Sequence, residues 1–186
     1  AIESNVSDIA AMGGFPKYAL TSLALPKGTD VGFIDGLYKG INAAAKKYRI
    51  SIIGGNLTSG DKISITITLV GFVEKKNLCL RGSAKINDFI LITGNLGGSR
   101  AGLELFRNNK TGKSISYYLN PTAKLDAAVL LAENGINSME DVSDGLASEM
   151  LPLRSDTQRG ISLAVALYVQ RAPVCGCRIL LVAIAM

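Results

Sequence analysis

With 186 residues, 48% of them hydrophobic, the chain is long enough for one large domain or two small ones and too apolar for wholesale disorder. Its net charge of +5 is dispersed rather than gathered into a basic run, and only 6% of residues are aromatic. Nucleic-acid binding is therefore not expected, whereas attraction of small anions is. The absence of histidine excludes Ser-His-Asp catalysis, histidine bases and His-ligated zinc within this chain.

The predicted elements begin with a short helix over 5–14, capped by Ser4 or Asn5 and ended by Gly13-Gly14, with Pro16 barring its continuation. A strand is expected over 17–25, closed by Pro26-Lys27-Gly28. Residues 30–48 read as a helix, because Ile34, Leu37, Ile41, Ala44, Ala45 and Tyr48 share one stripe. Thr29 is its expected cap, and Lys46, Lys47 and Arg49 suit its carboxyl end. A short strand over 50–53 runs into Gly54-Gly55. In the next strand Ile63, Ile65, Ile67 and Leu69 alternate with Ser64, Thr66 and Thr68, the pattern of a half-buried strand in an antiparallel or mixed sheet.

The charged, irregular stretch 74–85 is the expected domain boundary. Beyond it come a buried strand over 88–93, a glycine turn over 94–98, a helix over 99–108 and a polar loop over 109–116. Asn120-Pro121 is expected to open a helix with the stripe Leu125, Ala128, Val129 and Ala132, ended by Gly135. A strand over 136–142 then delivers Ser143-Asp144-Gly145 to a loop. The runs 161–169 and 178–186 read as strands or as buried helix, which periodicity does not separate. Cys79, Cys175 and Cys177 make no disulfide framework, and Cys175-Gly176-Cys177 is too tightly spaced for a redox or zinc CxxC pair. No signal-peptide pattern opens the sequence, and the apolar run at its end is far shorter than the ~20 residues that span a bilayer, so a soluble, cytoplasmic protein without membrane partners is expected. Because the sequence starts at Ala1, within an apparent motif, further chain is expected upstream.

Four separated motifs place acids, amides and hydroxyls beside glycines at element ends. They are Asn5-Val6-Ser7-Asp8-Ile9-Ala10-Ala11-Met12-Gly13-Gly14, Gly54-Gly55-Asn56-Leu57-Thr58, Thr93-Gly94-Asn95-Leu96-Gly97-Gly98-Ser99-Arg100-Ala101-Gly102 and Asp141-Val142-Ser143-Asp144-Gly145-Leu146. Oxygen ligands suit a hard cation such as Mg²⁺, and exposed backbone N–H groups suit phosphate. Each also has a plain reading. Asp8 alone is a first-turn helix acid, Asp144-Gly145 an ordinary turn pair, and 55–60 a hairpin turn with Asn56 in a left-handed conformation. The turn at 94–99 lacks the Gly-Lys-Ser/Thr of a Walker loop, and Arg100 is either a phosphate contact or a surface residue.

In this order and at these separations, the motifs resemble the thiamine-monophosphate kinase family, part of the ATP-binding superfamily that includes aminoimidazole ribonucleotide synthetase. The likeness runs over 4–150 and is carried above all by Ser7-Asp8-Ile9-Ala10-Ala11-Met12-Gly13-Gly14 and by Thr93 to Leu105, with Asn120-Pro121 standing where the family has Arg-Pro. It implies transfer of the γ-phosphate of ATP to thiamine monophosphate, with Mg²⁺ ions and no covalent phosphoenzyme. Asp8 and Asp144 would be Mg²⁺ ligands, and Asn56 would hold the metal position of a Gly-Gly-Asp pattern beside Gly55. Ser143 would contact phosphate or metal, while Gly97, Ser99 and Arg100 would hold phosphate.

The implied fold is α/β with mixed sheets in two domains, 1–78 for ATP, metal and dimer contacts and 79–186 as a second α/β domain, both incomplete. The family's pairing of amino-terminal sheets implies a homodimer, for which the strand 62–73 is suited. Upstream Gly-Asp-Asp-Ala and Thr-Asp segments are absent, Asn56 replaces an Asp, and the likeness stops after Met150. Two other readings are an ATP-dependent ligase or maturation protein of the same superfamily and a non-catalytic nucleotide-binding or dimerisation module.

Overall fold

The computed structural model describes residues 1–85, 88–149 and 179–185, so the run 161–169 and the Cys175-Cys177 pair lie outside the described residues. Two small sheets share one helix between them. The first helix, α1 (Ile2–Ala11), starts earlier than its capping pattern suggested. Ser4 Oγ and Asn5 Nδ2 donate to the Ala1 carbonyl at 3.0 and 2.9 Å, so they bond back to the first turn from inside the helix rather than cap it. The helix ends where Gly13 N–H reaches Ala10 O at 2.8 Å and Gly14 N–H reaches Ile9 O at 3.1 Å, with Gly13 at φ +74°. A Cβ on Gly13 would lie 2.3 Å from Asn77 O, so both conformation and space demand glycine there.

The first sheet has the order β2-β1-β3. Its central strand, β1 (Phe15–Leu25), runs parallel to β2 (Ser51–Ser59) and antiparallel to β3 (Ser64–Phe72). Helix α2 (Val31–Lys47) makes the crossover, and its cap is Asp30, whose Oδ2 accepts from Phe33 N–H at 3.1 Å. Thr29, the expected cap, instead donates to Pro26 O at 2.7 Å and closes the turn before the helix. Ile2 and Val6 of α1 pack with Ala19, Ile41, Ala45, Ile50 and Ala123 on one face of the sheet.

The largest departure from expectation here is β2, which continues through Gly54-Gly55-Asn56 instead of turning. Ala19 pairs with Ile52 but Leu20 pairs with Gly54, so Ile53 is an extra, bulged residue and points out at 61% exposure. A Cβ on Gly55 would lie 1.8 Å from Thr21 O, which explains the glycine by the close passage of β1. Among the described residues, nothing packs over the opposite sheet face. Cross-strand partners share a face, which places Tyr18 and Val70, and Ser22, Asn56 and Thr66, on that open side.

The second sheet is fully parallel, with the order β4-β6-β5: β4 (Phe89–Ile92), β5 (Met139–Val142) and β6 (Ile179–Ala185) between them. Its helices are α3 (Gly98–Arg107), α4 (Ser114–Leu119) and α5 (Leu125–Glu133). Some of the expected polar loop is thus helix α4. Asn120-Pro121 does not open a helix: Asn120 ends α4, its N–H donating to Ser116 O at 2.9 Å, and α5 begins only at Leu125, after Ala123 N–H has donated to Glu3 Oε2 of α1 at 2.8 Å. Ala128 and Ala132 of α5 pack against Ala10 and Ala11 of α1, with Cys79, Ile136 and Met139. Alanines on both helices let their backbones approach closely.

The stretch expected to separate the domains is stitched to its surroundings. Cys79 N–H donates to Met12 O at 3.1 Å, its Sγ–H to Ile136 O at 3.1 Å, and Leu80 N–H to Asn137 O at 2.9 Å. Ser138 Oγ then donates to Arg81 O at 3.1 Å, and the Arg81 guanidinium grips the buried Glu140 carboxylate bidentately.

Candidate phosphate and metal site

Strands β4 and β5 are parallel and flank β6, so the loops after them leave the same edge of the sheet. Two strand spacings put those loops about 10 Å apart. Ligands of open α/β sheets gather beyond such carboxyl ends.

The loop after β5 is acidic. Asp141, at the end of the strand, is half-buried, and its carboxyl is pushed up to about 6, first by burial and then by the negative charges of Asp8, Glu140 and Glu149. Asp8, from α1, is itself raised by partial burial. Next to it Ser7 is wholly buried, and its hydroxyl has no hydrogen-bond partner among the described residues. Ser143 Oγ and Asp144 N–H both donate to Glu149 Oε1 at 3.2 Å, which folds the loop back on itself. Glu140 is neutralised by Arg81. Asp8 and Asp141 repel each other, and among the described residues neither is ion-paired with a Lys or Arg.

An excess of carboxylate oxygen is the environment a hard divalent cation relieves, so the donor set fits Mg²⁺. Among the described residues no three acidic or thiol groups form a ready-made cage. That suits Mg²⁺, which commonly takes one or two carboxylates and fills its octahedron with water and substrate phosphates.

The loop after β4 has the opposite character. Gly94 and Gly97 take positive φ values of +135° and +82°, and Gly97 leads into α3 with no side chain capping the helix. The N–H groups of the first turn of α3 therefore have no intrahelical partner. Beside this turn lies a cavity of about 350 Å³ whose wall includes Gly94, Asn95, Gly98, Tyr117, Thr122 and Lys124. Thr93 Oγ1, just before it, is closed off from solvent without a partner among the described residues.

The structure sorts the sequence-predicted residues into three places. Asp8 shares one electrostatic environment with Asp141, and Ser143 and Asp144 follow Asp141 in the same loop. Gly97, Ser99 and Arg100 start α3, but Arg100 is exposed and paired with Glu104 at 2.7 Å, outside the cavity wall. Gly55 and Asn56 lie in β2, with Asn56 on the face turned away from α1, so the fold of one chain does not set Asn56 beside Asp8. Three features were not foreseen from the sequence: the crowding of Asp141 by Asp8, the buried Ser7 hydroxyl without a partner among the described residues, and Lys124 on the cavity wall. The Asp141-to-Asp144 spacing at a strand end was the one available signal; nothing local marks Lys124.

Residues 1–73 match the family model of the AIR synthase related protein, N-terminal domain. The thiamine-monophosphate kinase of Bacillus subtilis (strain 168) is 40% identical over 159 residues, 81% of this chain and 49% of the relative. The crystal structure of thiamine monophosphate kinase from Aquifex aeolicus superposes with a TM-score of 0.78 at 36% identity, covering 84% of this chain and 55% of that one. The structure of AaThiL complexed with AMPPCP and TMP gives 0.79 at 36% identity, covering 85% and 52%. The chain thus spans about half the length of the curated relatives it matches. By sequence and fold together, the chain is similar to the thiamine-monophosphate kinases over about half their length, and its residues 1–73 match an AIR synthase related amino-terminal domain.

Proposed function

We propose that this chain contributes to an ATP- and Mg²⁺-dependent kinase that converts thiamine monophosphate to thiamine diphosphate by direct in-line phosphoryl transfer. The observation that carries the reading is the crowding of Asp8 against Asp141, whose strand ends at the same sheet edge as the one leading into the glycine turn. A related structure described as complexed with AMPPCP and TMP supports the choice of nucleotide and acceptor.

In this reading Asp8, Asp141 and Asp144 hold Mg²⁺, which when bound neutralises phosphate charge. The backbone N–H groups of 94–99 hold phosphate oxygens, and Ser143 reaches the same group from the other loop. Such a site works by positioning and charge, so a chain without histidine suffices. The open face of the first sheet, with Tyr18 and Phe72 in edge-to-face contact at 6.2 Å, is the surface for a second copy. Gly55 and Asn56 would join the site only through that homodimer. A cytoplasmic location accompanies an ATP-consuming reaction, and among the described residues no helix is long and apolar enough to cross a membrane.

The test is ATP- and Mg²⁺-dependent formation of thiamine diphosphate by the purified protein, with Asp144→Asn as control. Turnover that collapses in the variant supports the reading. ATP binding without turnover sinks the acceptor assignment and turns attention to a ligase or maturation activity. Absence of both leaves a non-catalytic module.

A further inference from the structure

Among the described residues, Lys124 is the one charged side chain on the wall of the cavity beside the glycine turn. It forms no ion pair among those residues, whereas Arg100, the basic residue closer to the turn in sequence, is engaged by Glu104. The rest of the described wall is amide, hydroxyl, proline, glycine backbone and one tyrosine edge, with no carboxylate. A cavity of about 350 Å³ falls at the small end of the range for ligand pockets, roughly 300–1,000 Å³, and a di- or triphosphate fits such a space.

The backbone carrying Lys124 is fixed on both sides. Behind it, Ala123 N–H donates to Glu3 Oε2 at 2.8 Å, and Ala123 is buried among Ile2, Val6 and Ala19. Ahead of it, the Lys124 carbonyl accepts from Ala128 N–H at 3.0 Å as the first bond of α5. Glu3 is in turn held by Lys47 Nζ at 2.8 Å and by the Tyr48 hydroxyl. A carboxylate from α1 therefore dictates the course of a wall contributed by the other half of the chain.

We propose that this cavity takes the phosphate chain of an anionic ligand, with Lys124 as its cation and Glu3 as the positioning residue that sets the wall at 120–124. The identification of that ligand as ATP rests on the function proposed above; the anion site itself does not. A cation on a pre-set backbone loses little freedom when it meets phosphate, and hydrogen bonds between ionised partners are the strong ones.

Binding of inorganic pyrophosphate and of ATP to the whole chain, measured by calorimetry, tests the proposal, with melting temperature recorded for every variant. Lys124→Ala is expected to weaken both ligands about tenfold, Lys124→Arg to restore most of the loss, and Arg100→Ala to stay within about twofold. Glu3→Gln is expected to weaken both ligands as well. Combined with Lys124→Ala it should add almost nothing, because both changes act on one contact. Unchanged binding by Lys124→Ala overturns the cation assignment, and additive losses in the double variant overturn the positioning role of Glu3. ATP bound equally by wild type and Lys124→Ala leaves the kinase reading standing and removes this inference. Pyrophosphate bound through Lys124 without any ATP binding does the reverse. A wild-type chain that binds neither ligand ends both.

Discussion

The loops that follow β4 and β5 leave the same sheet edge on either side of β6, yet their chemistry is opposite. One offers glycine backbone beside a cavity whose wall carries Lys124; the other carries Asp141 and Asp144, with Asp8 of α1 crowding Asp141. The first lacks negative charge and the second has too much. Under the proposed function, phosphate would suit the first side and a divalent cation the second. The two sides are also held differently: the wall at 120–124 by a hydrogen bond from α1, the strand before the acidic loop by the Arg81–Glu140 pair.

The sharpest way to break this division is to neutralise the acidic side. Asp141→Asn is expected to cut turnover by about a hundredfold or more, since charge stabilisation at a phosphoryl-transfer site is worth several kcal/mol. Added Mg²⁺ should raise the melting temperature of the wild type and leave that of the variant nearly unmoved, by differential scanning fluorimetry. Equal stabilisation of both would remove Asp141 from the cation site.

A smaller effect is expected from removing the support beneath that loop. Arg81→Met leaves Glu140 buried at 8% side-chain exposure without its bidentate partner, a loss of about 3 kcal/mol in urea unfolding. Glu140→Gln in the same background should recover some of it. A stability unchanged by Arg81→Met would mean that packing alone holds the acidic loop.

On the basic side Glu3→Gln should cost about 1–2 kcal/mol at neutral pH. Burial raises the Glu3 carboxyl, but the bonds from Lys47, Tyr48 and Ala123 N–H together outweigh it and hold the group below its ordinary value. A depressed carboxylate stabilises the fold above its unfolded pKa, and that contribution is lost as pH falls through the folded value. Wild type and variant should therefore differ in melting temperature at pH 7 and converge below about pH 4.5. A gap that persists into acid would show that shape, not charge, is what Glu3 supplies.

The smallest expected change concerns Cys79, which lies between the two halves. Burial pushes its thiol up to about 11, so its contribution to stability is complete below about pH 9 and fades only as pH rises toward 11. Iodoacetamide at pH 8 should leave Cys79 unmodified in the folded protein and label it in urea, read by peptide mass spectrometry. Rapid native labelling would show that the seam between the halves opens easily.

Much of this was legible in the sequence where local chemistry decides. The 3.6-residue stripe found α2, the alternation of Ile and Thr found β3, and the glycines around Asn95 marked the turn before α3. Misreadings arose where a distant group decides. Gly54-Gly55 looks like a turn, but the second glycine is there because β1 passes too close for a Cβ. Asn120-Pro121 looks like a helix start, but Asn120 is the end of α4, and Glu3 of α1 then holds the extended link at Ala123. The acid pair was half visible: Asp8 and Asp141 each stood in a motif, and only the packing of α1 beside β5 reveals that they oppose each other.

Helix α1 belongs to both cores, Ile2 and Val6 to one and Ala10 and Ala11 to the other. It also bears Glu3 toward the lysine wall and Asp8 toward the acidic loop. Five residues at about 1.5 Å each make the rise from one to the other roughly 7.5 Å. Glu3 and Asp8, which meet the two sides, are thus spaced along one rigid rod, and to pull the halves away from each other the molecule must first give up a helix that both of them own.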